Sequence, residues 1–388
     1  MKKVCVNACR LILAVTFILS GFVKAVDPLG TQYKINDYLE AMHLGGLLPD
    51  FVTLGASVLL SAVEFSLGIF LLFAIQRRLT SRLILLILAG MTPLTLWLAI
   101  ANPISDCGCF GDAVVLTNWQ TFWKNVVLLG CAVVIVLWPK SMFRFISESN
   151  QWIVINYTVL FIVGIAAWCL YYLPLFDFRP YHIGTNLREQ WQRTMEGEDL
   201  PYADFFMELN DEEDTEDITE DVLNDTSYVF LLVSPYLEQA DDSRPDLINE
   251  LYEYAHEHSY PFYCLTSSTQ QGISRWQEMT GAEYPFCMTD GITLKTIIRS
   301  NPGMVLLKDG VIIRKWSHND LPAISEADAA KPLGQLPVGQ MPETKVSQRI
   351  LLLLLWFVLP LTLLSLADRM WMWTKWLRRP KAPTPTTR

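Results

Sequence analysis

The chain has 388 residues, of which 51% are hydrophobic and 18% are Asp, Glu, Lys or Arg, with a mean hydropathy of +0.26 and a formal net charge of -10. A soluble globular domain carries about 25% charged residues, so the composition argues against an ordinary soluble globule and for a membrane protein. Much of the negative charge is confined to one run near 211–221, where eight of eleven residues are acidic, so net charge says little about partners.

Runs long enough to cross roughly 30 Å of hydrocarbon at about 20 residues each occur near 7–25, 51–75, 83–101, 119–138, 152–176 and 349–373. Six spans put both termini on one side. Basic residues next to spans are retained in the cytoplasm, and every second connection is basic. Lys2 and Lys3 precede the first span, Arg77, Arg78 and Arg82 follow the second, and Lys140 and Arg144 follow the fourth. Arg369, Lys375, Arg378, Arg379 and Lys381 lie at the end of the sixth. The loop over 26–50 has one lysine, Lys34, against Asp27, Asp37, Glu40 and Asp50, and the loop over 102–118 has none. Both termini are therefore expected in the cytoplasm. The first run reads as a span and not a cleaved signal, because Lys24-Ala25-Val26-Asp27-Pro28 looks like an interfacial exit and no cleavage triplet follows.

Two charges fall inside spans. Glu64 lies thirteen residues beyond Phe51, roughly 20 Å below the outer surface at about 1.5 Å per residue, and Arg10 is fifteen residues inside the outer end near Ala25. An isolated charge at mid-bilayer costs a few kcal/mol, so an Arg10–Glu64 ion pair is expected; the alternative has Arg10 reaching the cytoplasmic face and Glu64 protonated. Cys5 and Cys9 stand four apart near the start of the first span, on one helix face, where a reducing compartment keeps them as thiols.

Between the third and fourth spans, Cys107-Gly108-Cys109-Phe110-Gly111 places two thiols one residue apart in a short outward-facing loop. Such a pair can close a disulfide, and the small ring makes that bond labile. Lys24 and Lys124 are expected at the same level, where an ammonium favours thiolate over thiol; the alternative for Lys124 is anchoring beside Trp119 and Trp123 at the interface. Cys107 and Cys109, with Lys24, are thus the candidate catalytic residues. A metal site would need further ligands that the loop does not supply, and a purely structural disulfide is the remaining alternative.

About 170 residues separate the fifth and sixth spans, enough for one globular domain with linkers. The acidic run reads as a solvated linker. From Ser227 the pattern alternates strand and helix. Tyr228-Val229-Phe230-Leu231-Leu232-Val233 is a buried-strand run, 244–258 an amphipathic helix, and 261–265 a second strand. Helices follow near 273–280 and 292–299, then a hairpin from Gly303 to Trp316 turned at Asp309-Gly310. Cys264 and Cys287 are read as buried thiols, with a mutual disulfide as the alternative. His256, His258 and His318 are read as surface residues.

This order, with Ser300-Asn301-Pro302-Gly303 before the hairpin, resembles the thioredoxin fold over 226–320, and the resemblance implies a cis-proline at Pro302. The first strand is followed by Ser234-Pro235-Tyr236-Leu237-Glu238-Gln239, without the Cys-x-x-Cys of redox members, so a docking or regulatory module is expected. The N-terminal part resembles the MauE (methylamine utilisation) and DoxX-like family of four-helix membrane proteins over about 1–140. The matching residues are Ser20-Gly21-Phe22-Val23-Lys24, Ala62-Val63-Glu64-Phe65-Ser66-Leu67-Gly68 and Asp106-Cys107-Gly108-Cys109-Phe110-Gly111, the last pointing to MauE more than to DoxX. That resemblance implies a role in maturing disulfide-containing extracytoplasmic proteins in a bacterial inner membrane, with the large domain periplasmic.

The expected fold class is a polytopic α-helical membrane protein with six spans plus an extracytoplasmic α/β thioredoxin-like domain. Its parts are a four-helix membrane domain over 1–145, a fifth span in 146–177, an acidic linker over 178–225, the α/β domain over 226–322, a linker over 323–347, a sixth span in 348–374 and a basic cytoplasmic tail over 375–388. Two functions stand: a thiol-disulfide oxidoreductase using Cys107 and Cys109, or a non-catalytic scaffold with a structural Cys107–Cys109 bond and a docking domain. The expected partners are the lipid bilayer and an extracytoplasmic protein client, with no nucleic acid. No cofactor or metal site is evident, and a lipid-soluble membrane quinone is the electron acceptor that needs fewest assumptions.

Overall fold

The structure is a computed structural model that describes residues 1–104, 106–200, 202, 204–210, 215–342 and 346–377. It divides into two compact units, Met1–Ala166 with Val346–Arg388, and Ala167–Lys345. The first unit is helical: α1 (Lys2–Val26), α2 (Pro28–Ala41), α3 (Asp50–Phe73), α4 (Arg77–Ala101), α5 (Asn118–Leu137), α6 (Gln151–Tyr171) and the C-terminal helix Val346–Leu377. Six of its helical segments are long and apolar enough to cross a membrane. Their outward faces carry exposed apolar side chains such as Leu59, Leu86, Val127, Leu160 and Leu351, the inverse of a water-facing surface.

Without a hydrophobic drive between helices in lipid, close backbone approach holds such bundles together, and small residues permit it. The α1–α3 seam shows this. A Cβ on Gly21 would lie 2.3 Å from the Phe65 backbone nitrogen, and one on Gly68 would lie 2.7 Å from that of Ile18. The helices run antiparallel, so Gly21 meets Ser61 and Phe65 while Ala14 and Ile18 meet Gly68. Leu13, Phe17, Leu67, Leu71, Leu128 and Ile135 fill the core between α1, α3 and α5.

The expected loop over 26–50 contains a helix. Asp27 breaks from α1 and its carboxylate accepts from the Gly30 N–H, with Pro28 in the first turn of α2, the preferred chemistry for starting a helix. Bonds from Ser57 Oγ to the Pro28 carbonyl and from Gln32 Nε2 to the Asp50 carbonyl tie α2 to α3.

The second unit is built on a seven-stranded mixed sheet. Its elements in chain order are α7 (Leu187–Met195), β1 (Glu208–Asn210), β2 (Thr215–Asp217), α8 (Thr219–Asn224), β3 (Tyr228–Ser234), α9 (Pro245–Glu257), β4 (Phe262–Thr266), α10 (Gln270–Thr280), β5 (Phe286–Met288), α11 (Gly291–Ile297), β6 (Gly303–Lys308) and β7 (Val311–Ser317). The strand order is β2-β1-β5-β4-β3-β6-β7. β3, β4 and β5 pair in parallel, β6 runs antiparallel to β3, and β7 antiparallel to β6. All of β3 is buried because both sheet faces are covered, as a parallel centre requires. Phe230 and Leu232 pack with Trp276 on one face, and Val229, Leu231 and Val233 pack with Leu294 and Phe205 on the other.

Two expectations are corrected here, and the reading of Cys264 and Cys287 as buried thiols holds. The segment over 178–225, expected as a linker, supplies α7, β1, β2 and α8, and buries Tyr181, Phe205, Met207, Val222 and Leu223 in the domain core. Residues 211–214 of the acidic run lie outside the described residues, whereas 215–221 form β2 and begin α8. Apolar residues spaced between the acids carry that burial. The linker expected over 323–347 likewise buries Leu333 and Leu336, and the Tyr254 and Tyr228 hydroxyls donate to the Lys331 and Gly339 carbonyls. Cys264 and Cys287 are both buried free thiols. Cys264 stands opposite Phe286, and Cys287 opposite Leu265, so the two thiols point to opposite faces and do not pair. Of the basic tail, 378–388 lies outside the described residues.

Overpacking a close helix contact costs about 1–3 kcal/mol. Gly21→Ala is therefore expected to lower the thermal unfolding midpoint of the detergent-solubilised protein, whereas Gly130→Ala, where an added Cβ meets nothing within 4 Å, should leave it unchanged.

Candidate functional site

Cys107 and Cys109 lie between α4 and α5 with their sulfurs 2.9 Å apart, both as free thiols. Gly108 adopts a φ of +65°, which favours glycine, and its backbone lies against the Lys34 side chain. Asp106 closes the turn: one carboxylate oxygen accepts from the Gly108 N–H at 2.9 Å and the other pairs with Lys34 Nζ at 2.7 Å. The Tyr38 hydroxyl donates to the Cys107 carbonyl at 2.7 Å. Lys34 and Tyr38 are four residues apart on α2, hence on one helix face, and together they bind the loop.

On the bundle side of the loop lies a buried polar cluster. Lys24 Nζ donates to Glu64 Oε2 at 2.6 Å and to Ser20 Oγ at 2.9 Å. Ser20 Oγ stands 2.7 Å from both Glu64 Oε2 and the Cys109 carbonyl. The three side chains come from α1 and α3, where Ser20 and Lys24 are one turn apart. Lys124 of α5 holds its ammonium 4.5 Å from the centre of the Phe110 ring, within cation–π range, so it faces the loop, while Trp119 and Trp123 are exposed.

These surroundings separate the two thiols. The hydrogen bond from Cys107 is the main influence that holds the Cys109 thiol down at about 6; burial and Glu64 oppose it, and Lys124 and Lys24 assist. Cys107 is pushed well above the ordinary thiol range by that same bond, by burial and by the Cys109 charge, with Tyr38 and Lys124 partly offsetting them. Cys109 is thus the thiolate of the pair and Cys107 the proton-bearing partner, the division of labour that thiol exchange uses.

The Arg10–Glu64 pair is not formed. Arg10 donates to the Leu71, Leu72 and Phe143 carbonyls and to Asn7 Oδ1, and so satisfies open carbonyls at the C-terminal end of α3. The antiparallel seam explains it: Arg10 falls level with the end of α3, while Glu64 falls level with Ser20 and within reach of Lys24. Cys9 and Cys131 pack against the same helical core; eleven residues of α1, about 16 Å, separate Cys9 from Ser20.

Pro302 belongs to the other unit. The Asn301–Pro302 peptide is cis. Asn301 ties this turn to the segment after β3, accepting from Ser234 Oγ at 2.6 Å and donating to the Tyr236 carbonyl at 2.8 Å. Ser300 Oγ lies 2.9 Å from His318 Nδ1, so His318, expected as a plain surface residue, braces the same turn. Ser20, Lys34, Tyr38 and Asp106 were not singled out by sequence as site residues. The signal for the α2 pair was the Asp27-Pro28 helix start followed by Lys34 and Tyr38 at helical spacing. Among the described residues, no group of three or more His, Cys, Asp or Glu side chains is placed to hold a metal ion.

Residues 2–138 match the family model described as methylamine utilisation protein MauE, and with its six apolar spans the chain is a multi-pass membrane protein. No curated protein and no solved structure matches the chain.

Removing one of the two cations beside Cys109 favours its thiol form. Alkylation of Cys109 at pH 6 is expected to slow roughly fivefold to tenfold in Lys24→Met, with the midpoint of its rate–pH profile moved upward. Lys24→Arg, which retains the charge, should stay near wild type. A Lys24→Met profile identical to wild type would show that Lys24 serves only Glu64.

Proposed function

We propose, from the match of residues 2–138 to the MauE family, that this protein is a membrane-embedded thiol-disulfide oxidoreductase supporting disulfide formation in extracytoplasmic proteins. The observation that carries this reading is the Cys107–Cys109 pair, with its sulfurs 2.9 Å apart and its two thiols driven in opposite directions by the surrounding groups.

In the oxidised protein a client thiolate attacks the Cys109 sulfur. The Cys107–Cys109 bond breaks, a client–Cys109 bond forms, and Cys107 leaves with the electron pair and takes a proton. The second client thiolate then attacks the client sulfur of this mixed disulfide and expels Cys109 as a thiolate. A low thiol pKa makes Cys109 a good leaving group in this second step. The client is oxidised by two electrons and the protein reduced by two. A membrane quinone is the class of acceptor we assign to reoxidation, since the dithiol lies at the end of an apolar helix bundle.

The distribution of Lys and Arg among the connections supports both termini in the cytoplasm of a bacterial inner membrane, with the dithiol and the sheet unit on the periplasmic side. For the sheet unit, the parallel β3–β4 pair, the antiparallel β6–β7 hairpin and the cis Pro302 support a thioredoxin-like fold. Its segment 234–239 contains no cysteine, and Cys264 and Cys287 are buried with raised pKa values, chiefly through burial. Client docking is therefore the role we assign to it, and Cys107 and Cys109 carry the chemistry.

In Cys107→Ser the lone Cys109 thiolate attacks the disulfide of an oxidised client, the reverse of the second step, and with no Cys107 thiolate to displace it the mixed disulfide should persist. Cys107→Ser is expected to accumulate client adducts through Cys109, visible as reducible high-mass species on non-reducing gels of membranes, and Cys109→Ser is expected to give none. Absence of adducts in both variants would favour a scaffold whose Cys107–Cys109 bond is structural.

A further inference from the structure

Proton counting at Ser20 bears on what Glu64 does. Four close polar contacts meet there: Lys24 to Ser20, Lys24 to Glu64, Ser20 to Glu64 and Ser20 to the Cys109 carbonyl. The Lys24 ammonium supplies protons for the first two. The Ser20 hydroxyl has one proton and stands 2.7 Å from two acceptor oxygens. With Glu64 ionised, that proton serves one oxygen fully or both poorly, a deficit that buried groups do not recover from water. With Glu64 as a carboxylic acid, its O–H donates to Ser20, Ser20 donates to the Cys109 carbonyl, and all four contacts are made.

The Lys24 ammonium pulls the other way, toward the carboxylate. The charge on the sulfurs decides between the two. Glu64 and Cys109 share the influence of Lys24, and the Cys109 thiolate is also faced by Lys124. Around the loop stand Cys107, Tyr38 and the Lys34–Asp106 pair. When Cys107 and Cys109 are joined, their sulfurs carry no charge and Glu64 pairs with Lys24. When they are reduced, the Cys109 thiolate adds a second anion beside the same buried ammonium, and like charges in a poorly solvated site disfavour each other's ionisation. Glu64, Lys24 and Ser20 are 7%, 6% and 8% exposed, so water screens this little.

We propose that Glu64 is the proton store of the dithiol: an ionised partner of Lys24 when Cys107 and Cys109 form a disulfide, and a carboxylic acid donating to Ser20 when they are reduced. This rests on the redox reading above. On reduction by a client dithiol, two client S–H bonds are lost and a client S–S bond forms, while the Cys107–Cys109 bond accepts the electron pair and breaks. One released proton goes to Cys107 Sγ and the other to the Glu64 carboxylate, leaving Cys109 a thiolate. Reoxidation by a quinone returns both protons with the electron pair.

The test is the equilibrium of the Cys107–Cys109 pair of the full-length, membrane-embedded protein with dithiothreitol buffers, followed over pH in wild type and Glu64→Gln. Each proton taken up changes the two-electron equilibrium tenfold per pH unit, about 30 mV. Dithiothreitol also takes up two protons on reduction in this range, so from about pH 7 to about pH 8 the exchange constant of wild type should stay unchanged, a potential shift of about 60 mV, while that of Glu64→Gln should move tenfold toward the reduced protein, a potential shift of about 30 mV. Equal slopes in the two proteins would overturn the proposal and leave the redox reading standing. A pair that never equilibrates with the buffers would overturn both. Redox-difference infrared spectra of the wild type give a readout independent of the variant's folding: reduction should produce a protonated-carboxylic-acid carbonyl band, and its absence would overturn the proposal.

Discussion

The contact between Lys24 and Glu64, buried with Nζ and Oε2 2.6 Å apart, is the constraint on which the rest of the helical unit depends. A buried charge is costly without a partner, and these two side chains are only 7% and 10% exposed. Their meeting requires α1 and α3 to lie close and in one register, which Gly21 and Gly68 permit by letting backbones touch. That register also sends Arg10 to the carbonyls at the end of α3. Through Ser20, the pair holds the Cys109 carbonyl, so the dithiol loop is seated on the same interaction that makes the seam.

The loop is gripped from two directions. From the bundle come Ser20 and, over Phe110, Lys124; from α2 come Lys34 and Tyr38. A two-thiol loop held this way can keep its sulfurs in reach of each other while the charges around it differ for each. Cys109 has cations nearby and accepts from Cys107, whereas Cys107 is buried beside a thiolate. The contrast in acidity follows from the placement of these groups.

The sequence shows spans well because hydropathy is a property of single segments. Six were legible, as were the Cys-Gly-Cys loop, β3, α9 and the β6–β7 hairpin turned at Asp309-Gly310. What was not legible depended on pairs of segments. Depths of Arg10 and Glu64, each measured from its own helix end, suggested a partnership, but the α1–α3 register assigns Glu64 to Lys24. In the sequence Asp27-Pro28 marks a membrane exit, whereas in the fold it caps and begins α2 and so sets Lys34 and Tyr38 on one helix face. The acids near 211–221 masked Val222 and Leu223, whose burial makes that region part of the domain.

The central claim is that Cys107 and Cys109 are a working redox pair and not a staple. Differential thiol alkylation with mass spectrometry, on the membrane-embedded protein equilibrated across a series of redox buffers, measures this directly. Both states are expected to be populated, with a potential well above about -300 mV, the level below which structural disulfides lie. A bond that stays closed across the series, or thiols that never oxidise, would contradict it.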